Sequence, residues 1–156
     1  MKTLESDFAV RRNLVPLVVP TCTEMTEIDN RTQEDFFISS IVLMENAGVK
    51  AYDVLWEKYW NKLEKDTALL FIAGRGNNGG DALGIARHAY QDGLFNVSVL
   101  LSNGEPSPNT NTSQNLRICR AIGIQVHLVD INNDCTVRLL KSAEWIIDGI
   151  TGTGLK

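Results

Sequence analysis

One stretch of this chain limits its fold more than any other. A continuous apolar run, Ala68–Ala73, is followed at once by a glycine cluster, Gly74–Gly79, that matches the pattern G-x-G-x-x-G. This pattern is informative when it follows a strand and opens a helix, and a helical segment from about Gly80 to Gln91 comes next. Glycines in such a turn let backbone N–H groups approach a phosphate at the helix N-terminus. The stretch therefore predicts the first strand, turn and helix of a parallel sheet.

Strands and helices alternate after this unit. Further strands are predicted at Asn96–Leu101, Gln125–Val129 and Glu144–Asp148, with helices at Thr112–Ile122 and Val137–Ser142 between them. Such alternation indicates βαβ units, and hence an α/β fold whose mainly parallel sheet carries helices on both faces. Ligands of these folds bind beyond the carboxyl ends of the strands, where the glycine cluster and Asp148 both fall.

Two helices are predicted before the first strand. Thr21 and Glu24 form a capping box that starts a helix reaching about Phe37, and a second helix covers roughly Ser40–Lys65. Apolar residues of the second helix recur at spacings of three and four, which predicts one buried face made of Met44, Ala47, Ala51, Leu55, Tyr59 and Leu63. Residues 1–20 are predicted to form a loosely ordered arm, and residues 21–156 a single domain.

Composition argues against several classes of function. The net charge of −4 and the pI of about 5.1 differ from the basic stripe of nucleic-acid-binding proteins. The three cysteines are widely spaced and contain no CxxC pair, which favours reduced thiols over a disulfide framework or a zinc site. No apolar run reaches the roughly 18 residues of a membrane span, and the N-terminus does not resemble a leader peptide. We therefore predict a cytoplasmic protein that binds neither nucleic acid nor membranes.

The glycine cluster departs from the ordinary dinucleotide fingerprint. No acidic residue ends the second strand, where Leu100–Asn103 stand and a ribose-binding Asp or Glu is expected. Instead, two amides and a carboxylate lie among the glycines of Asn77–Asp81. A carboxylate repels phosphate, so this composition favours a site for a cation or for ligand hydroxyls. The alternative is a tight turn, with an asparagine in the left-handed region and Asp81 as a helix cap.

A second glycine-rich loop, Asp148–Gly154, follows the last strand. Hard cations prefer carboxylate, amide and carbonyl oxygens, and Asn78 and Asp148 supply two of these from neighbouring loops. Gly152 and Gly154 allow the backbone to approach a ligand, and Lys156 suits an anionic group such as a phosphate. The alternative is that Asp148 merely caps the following turn.

Three segments together resemble the signatures of the YjeF-type N-terminal domain. They are Ser40–Gly48, Gly76–Asp81 and Ile147–Leu155, and Glu24-Met25 with Ile28-Asp29 resembles the opening helix of that family. Their order and spacing agree over residues of about 21 to 156. The resemblance implies a Rossmann-like three-layer αβα sandwich and NAD(P)H-hydrate epimerase activity, which interconverts the R and S epimers of hydrated NADH or NADPH. It also implies a homodimer, and an ADP-dependent NAD(P)H-hydrate dehydratase as a fused or separate partner.

The resemblance also assigns residues. It implies that residues of both loops line the substrate site and that Asn78 and Asp148 bind K⁺. The residues that line the site are Asn77, Asn78, Gly79, Gly80 and Asp81 in the first loop, and Gly152, Thr153, Gly154, Leu155 and Lys156 in the second. The last five begin the loop that holds the phosphates. Asp81 is the candidate catalytic acid or base within these motifs.

Two positions depart from the family pattern. Ala82 replaces a third glycine, which we expect to be tolerated. The family domain also continues beyond the equivalent of Lys156, to an acidic strand end that supplies the principal acid/base group and a further K⁺ ligand. The resemblance therefore implies a domain that is incomplete on its C-terminal side, with a sheet edge exposed after Asp148. Whether the chain is active alone stays open.

Two other functions are compatible with parts of this sequence. The first is a non-catalytic YjeF-type scaffold associated with RNA or protein, and the second is an ordinary NAD(P) oxidoreductase. Asn77–Asp81 and Asp148 are intact, which favours the enzyme over the scaffold. The missing acid after the second strand argues against the oxidoreductase. Glu45 is predicted to support packing, with contact to the site as the alternative, and His88 and His127 are predicted to be structural.

Overall fold

The computed structural model describes residues 19–152, so the arm predicted for residues 1–20 lies almost wholly outside the described part. The described elements are, in chain order, α1 (Cys22–Phe36), α2 (Ser40–Tyr59), a 3₁₀ turn (Trp60–Lys62), β1 (Leu69–Ala73), α3 (Asn77–Gln91), β2 (Val97–Leu101), α4 (Asn111–Ala121), β3 (Gln125–Leu128), α5 (Asp134–Ser142) and β4 (Trp145–Gly149). Among residues 19–152, none of the helices combines the length and the hydrophobicity that a membrane span requires.

The four strands form one parallel sheet in the order β3-β2-β1-β4. Strand β1 lies inside the sheet because its residues are apolar on both faces, and Leu69, Leu70 and Phe71 are at most 2% exposed. The chain moves outward from β1 through β2 to β3, and then crosses back to pair β4 with the opposite side of β1. The direction of the connections therefore reverses between β1 and β4, which is where doubly wound folds bind ligands.

Helices α2, α3 and α4 form one layer on the sheet. Alternate residues of β1 and β2, including Phe71 and Val99, point into this layer and are fully buried there together with Leu83 of α3. Helices α2 and α3 approach closely at two glycines, since a Cβ placed on Gly48 lies 3.5 Å from the Cα of Gly84. This layer contains the main hydrophobic core.

Helix α5 lies on the other face of the sheet. The Sγ of Cys135 is 3.6 Å from the Nδ1 of His127, which is in register with Leu100 on the face away from the main core. Leu70 and Leu100 are buried on this face, whereas Ile146 of the edge strand β4 is 51% exposed. Helices on both sides of a parallel sheet confirm the predicted α/β sandwich.

Helix α2 buries the predicted face only in part: Met44 is buried and Leu55 packs against the core as predicted, and Leu63 is buried just beyond the end of the helix. Its buried residues are Met44, Gly48 and Tyr52, whereas Ala47 and Ala51 are exposed. The face is rotated because Gly48 carries no side chain and admits the backbone of α3. A count of apolar residues gives a glycine no weight, and so it misses a contact that depends on the absence of a side chain.

Three helix boundaries also differ from prediction. Helix α3 begins at Asn77 rather than Gly80, and α5 begins at Asp134 rather than Val137, where the side chain of Asn133 accepts a hydrogen bond from the backbone N–H of Cys135. Helix α2 ends at Tyr59, and a 3₁₀ turn replaces its last predicted residues. The glycines at the start of α3 lower its intrinsic helix propensity, but packing against α2 and α4 outweighs that cost.

Candidate active site

The first glycine-rich loop, Gly74–Asp81, and the described part of the second, residues 148–152, meet where the chain direction reverses between β1 and β4. The N–H of Gly74 donates a hydrogen bond of 2.9 Å to the carbonyl of Gly149. A Cβ on Gly74 lies 2.1 Å from the carbonyl oxygen of Ile150, and one on Gly79 lies 2.0 Å from that of Gly74. Both distances are far below contact, so the backbones can approach this closely only where no side chain exists.

The first loop does not form the turn proposed as the alternative. Asn77 and Asn78 are the first two residues of α3, and the described non-glycine residues with positive φ are Phe37 and Asn109. Asp81 lies in the second turn of α3, and so it does not cap the helix. Gly76 is the N-cap, and it has no side chain that could accept a hydrogen bond from the first backbone N–H groups of the helix. Helix α3 therefore presents uncapped backbone N–H groups, which suit an anion.

Asn78 ties the first loop to the second. Its Nδ2 donates a hydrogen bond of 2.9 Å to the carbonyl oxygen of Thr151. A Cβ on Gly152 lies 3.3 Å from the Cβ of Asn78, so the second loop passes directly over this side chain. The amide nitrogen of Asn78 is engaged by protein, and its Oδ1 remains as a possible acceptor or ligand.

Asp148 caps its own turn. Its Oδ1 accepts a hydrogen bond of 2.8 Å from the backbone N–H of Ile150, and its side chain is exposed. The alternative reading of Asp148 as a turn cap is therefore realised, while the second carboxylate oxygen remains for another partner. Its register with Ile72 places it on the face of the sheet away from the main core.

The chemistry of these donors fits a hard cation. Asn78 Oδ1, the remaining Asp148 oxygen and the carbonyl oxygens of the second loop are all oxygen ligands, on two loops in direct contact. These residues would hold potassium, if it binds here, by oxygen coordination.

Asp81 has the most perturbed carboxyl group of the site. It is half-buried, and burial raises its pKa from 3.8 to about 6. A carboxyl group with this pKa exchanges protons near neutral pH, as general acid–base catalysis requires.

A cleft opens in front of Asp81, between α1 and the N-terminus of α3. It comprises two adjoining cavities of about 480 and 710 Å³, and five residues line both of them: Met25, Thr26, Asp29, Asn77 and Asp81. Asn78 and Gly152 border the larger cavity, as does Gly76, where a Cβ meets nothing within 4 Å. The cleft thus brings together residues of both predicted loops.

Not every predicted site residue lines this cleft. Gly79 and Gly80 are buried behind it, and Asp148 borders neither cavity. A Cβ on Gly80 lies 2.5 Å from the Sδ of Met44, so this glycine serves the packing of α3 on α2. Thr153, Gly154, Leu155 and Lys156 lie outside the described residues.

Two buried polar residues of α4 hold the first loop, and sequence reasoning missed both. Thr112 Oγ1 donates a hydrogen bond of 3.0 Å to the carbonyl oxygen of Gly76, and Asn115 Nδ2 donates one of 3.0 Å to that of Gly80. Each residue is only 2% exposed. Their spacing of three along a helix was the available signal, because it puts both on one face, but the partners lie more than 30 residues away in sequence.

Glu45 joins α2 to α3 and does not line the cleft. It accepts a hydrogen bond from the Arg87 side chain, and its Oε1 lies 3.0 Å from Nε2 of His88. Burial alone would raise the pKa of Glu45, but Arg87 and His88 outweigh burial and lower it. This geometry supports the packing role predicted for Glu45 and the structural role predicted for His88.

Comparisons with known proteins agree with this geometry. Residues 40–156 match the family described as YjeF-related protein N-terminus. The chain belongs to this family. Over 90% of its length it also superimposes on 59% of a crystal structure of yeast YNL200c, with 27% sequence identity and a TM-score of 0.74. The resemblance drawn from the sequence motifs and the predicted Rossmann-like fold are both confirmed.

Several curated proteins are similar to most of the chain. The NAD(P)H-hydrate epimerase of Rhodopirellula baltica is 32% identical over 87% of this chain and 52% of its own length. That of Lentilactobacillus buchneri is 33% identical over 86% of this chain and 58% of its own length. A bifunctional NAD(P)H-hydrate repair enzyme Nnr of Moorella thermoacetica is 32% identical over 87% of this chain and 26% of its own length. The chain therefore spans about half the length of the epimerases and about a quarter of the bifunctional enzyme.

Proposed function

We propose that this chain carries the nucleotide-facing part of an NAD(P)H-hydrate epimerase, which interconverts the R and S epimers of hydrated NADH or NADPH. The observation that supports this most is Asp81, a half-buried carboxyl group with a pKa of about 6 in a cleft beside an uncapped helix N-terminus. Relatives named NAD(P)H-hydrate epimerase supply the substrate class. A non-catalytic scaffold has no need of such a group.

The substrate is bound by electrostatic attraction and by hydrogen bonds. Its phosphates meet the backbone N–H groups at the start of α3 and the glycine-rich second loop, from Gly152 to Lys156. Its hydrated nicotinamide ring, which carries a hydroxyl and a carboxamide, lies toward Asp81. Asn77 and Asn78 then contact the linking sugar and phosphate groups from the first turn of α3.

Epimerisation at the hydroxylated ring carbon needs no redox step. Protonation of the hydroxyl lets it leave as water while the ring nitrogen supplies the electron pair, and water then returns to the other face and loses a proton. Reversible ring opening is the other route, and it also needs a proton donor and acceptor near the hydroxyl. Asp81 can exchange such a proton, because burial raises its pKa to about 6.

Potassium belongs to this proposal as a structural cofactor. Asn78 and Asp148 would be ligands, and the ion would supply positive charge next to the substrate phosphates. An ADP-dependent dehydratase, fused or separate, would act on the S epimer. We also propose that the protein is cytoplasmic and homodimeric.

The decisive experiment is an epimerisation assay with the R epimer of NADPH hydrate. An S-specific dehydratase consumes the product, so that the rate of R consumption reports epimerisation. We expect the chain to bind the hydrate and to accelerate its epimerisation in potassium buffer, and Asp81→Asn to lose most of that rate. The control is Asp66→Asn, which neutralises an exposed carboxylate far from the cleft. A chain that neither binds the hydrate nor accelerates its epimerisation would contradict the proposal and favour the scaffold.

A further inference from the structure

Helix α1 has an inner side of unusual polarity. None of its residues is buried, and its half-buried positions are the polar residues Asp29, Thr32 and Gln33. Its apolar residues Met25, Ile28 and Phe36 are 43%, 48% and 70% exposed, and of these only Met25 lines the cleft. A helix that packs on a protein core normally turns an apolar stripe inward. The inner side of α1 is therefore unsuited to core packing.

The helix is held together by its own hydrogen bonds. Thr21 and Glu24 form a reciprocal capping box, and the Nε2 of Gln33 donates a hydrogen bond to the carbonyl oxygen of Asp29. These local bonds keep α1 helical with little support from the rest of the protein. A polar inner side on such a helix suits the wall of a cleft that binds a polar ligand.

That polar side faces the cleft of the candidate site. Asp29 lines both cavities, and Asn77 and Asp81 of α3 line the same two cavities. Gln33 borders the smaller one, together with Ser40 of α2. Helix α1 thus forms the wall of the cleft that carries Asp29, and α3 forms the wall that carries Asp81.

The carboxyl groups of Asp29 and Asp81 determine which part of a ligand can bind between them. Carboxylates accept hydrogen bonds from hydroxyl and amide groups, and they repel phosphate. The phosphates are better placed at the uncapped start of α3, which borders the larger cavity. The space between Asp29 and Asp81 therefore suits an uncharged ligand part that is rich in hydrogen-bond donors.

We propose that Asp29 is a substrate-binding residue that accepts hydrogen bonds from the hydrated nicotinamide ring, across the cleft from Asp81. This inference rests on the proposed function and deepens it, because it assigns α1 to recognition of the hydrated ring rather than of the nucleotide. The donors of that ring are its hydroxyl and its carboxamide N–H groups.

The test compares two ligands and two variants by titration calorimetry. The ligands are NADPH hydrate and ADP-ribose, which shares the diphosphate and sugars but has no nicotinamide ring. The variants are Asp29→Asn and Glu34→Gln, which remove one negative charge each from the same helix, and Glu34 is exposed and borders none of the described cavities of the cleft. Circular dichroism establishes that α1 remains folded in both.

We expect Asp29→Asn to weaken binding of the hydrate about tenfold, the effect of one hydrogen bond to a charged group. It should leave ADP-ribose binding unchanged, and Glu34→Gln should change neither. Equal hydrate affinity in Asp29→Asn and the unaltered chain would overturn the role of Asp29 and leave the proposed function standing. Equal weakening of both ligands would overturn the assignment to the ring. Failure of the unaltered chain to bind either ligand would overturn the proposed function, and this inference with it.

Discussion

Asp81 links the stability of the protein to its chemistry. Burial raises the pKa of this carboxyl group to about 6, so the folded protein holds a proton that the unfolded chain has already released between pH 4 and 6. The charged form is the one that burial penalises. The folded state therefore loses stability as the pH rises through this window, and the cost is fully present at pH 7.

Asp81→Asn should therefore raise stability while it lowers activity. Because the group is partly solvated, we expect a gain in the free energy of unfolding at pH 7 of only about 1 kcal/mol. Urea denaturation at pH 4 and at pH 7 measures it, and the gain should be largest at pH 7. The control Asp66→Asn should give the same stability as the unaltered protein at both values. A loss of stability in Asp81→Asn at pH 7 would show that its carboxylate is stabilised by contacts outside this account.

Glycines of the two loops differ in what they tolerate. A Cβ on Gly149 lies 2.5 Å from the Cβ of Ala82 and 2.9 Å from the carbonyl oxygen of Asn78. We expect Gly149→Ala to lower the free energy of unfolding by about 1 to 3 kcal/mol, the usual cost of overpacking. Adding Ala82→Gly should recover part of this loss, since it removes one of the two clashes.

Gly76→Ala is the matched control for Gly149→Ala. A Cβ on Gly76 meets nothing within 4 Å, and its φ of −89° is accessible to alanine. Its stability should stay within about 0.5 kcal/mol of the unaltered protein. Thermal denaturation of the three variants measures these effects, and a Gly76→Ala protein as unstable as Gly149→Ala would contradict the prediction.

At the scale of elements, α4 positions the first loop although it contributes little to the cleft. The amide of Asn115 reaches the carbonyl of Gly80 from a fully buried position. Its loss leaves a buried carbonyl without its donor, which typically costs about 1 to 3 kcal/mol. The start of α3 thereby depends on a helix that follows the next strand.

We expect Asn115→Leu to be destabilised by this amount, and to bind NADPH hydrate more weakly because the first loop is less firmly held. Gln114→Leu makes the same chemical change at the neighbouring, exposed position, and it should alter neither property. Urea denaturation and calorimetry measure the two effects. Unchanged stability in Asn115→Leu would mean that water or another donor replaces the amide.

The sequence predicts elements better than it predicts contacts. The strands were predictable because each is a short segment with apolar residues between helix or turn signals, and the glycine loop because strand, glycines and helix come in a fixed order. The start of α3 was predicted incorrectly and the buried face of α2 only in part, since both depend on glycines that admit a neighbouring backbone. The roles of Asn115 and Asp29 were not predictable, because each depends on a partner brought close only by the tertiary fold.

For the whole molecule, the important contact is that between the loops after β1 and β4. Potassium bound by Asn78 and Asp148 would join them, and a ligand that binds only the folded state raises its stability. We expect 100 mM potassium to raise the melting temperature by a few degrees over the same concentration of tetramethylammonium. Asp148→Asn should abolish the increase.

Asp130→Asn is the matched control for this prediction. Asp130 accepts a hydrogen bond from the backbone N–H two residues later, as Asp148 does, but it lies after β3 at the far side of the sheet. It should keep the full potassium effect. An equal effect of potassium on Asp148→Asn and the unaltered protein would remove Asp148 from the site.

The hydrogen bond between Asn78 and Thr151 spans 73 positions of the chain. Its two partners are far apart in sequence, and they can meet only when β4 has paired with β1. A ligand that contacts both residues binds the folded protein and does not bind a partly folded one. Such a ligand would act as a clasp that slows opening without speeding assembly, and its dissociation rate would limit how soon the sheet can come apart.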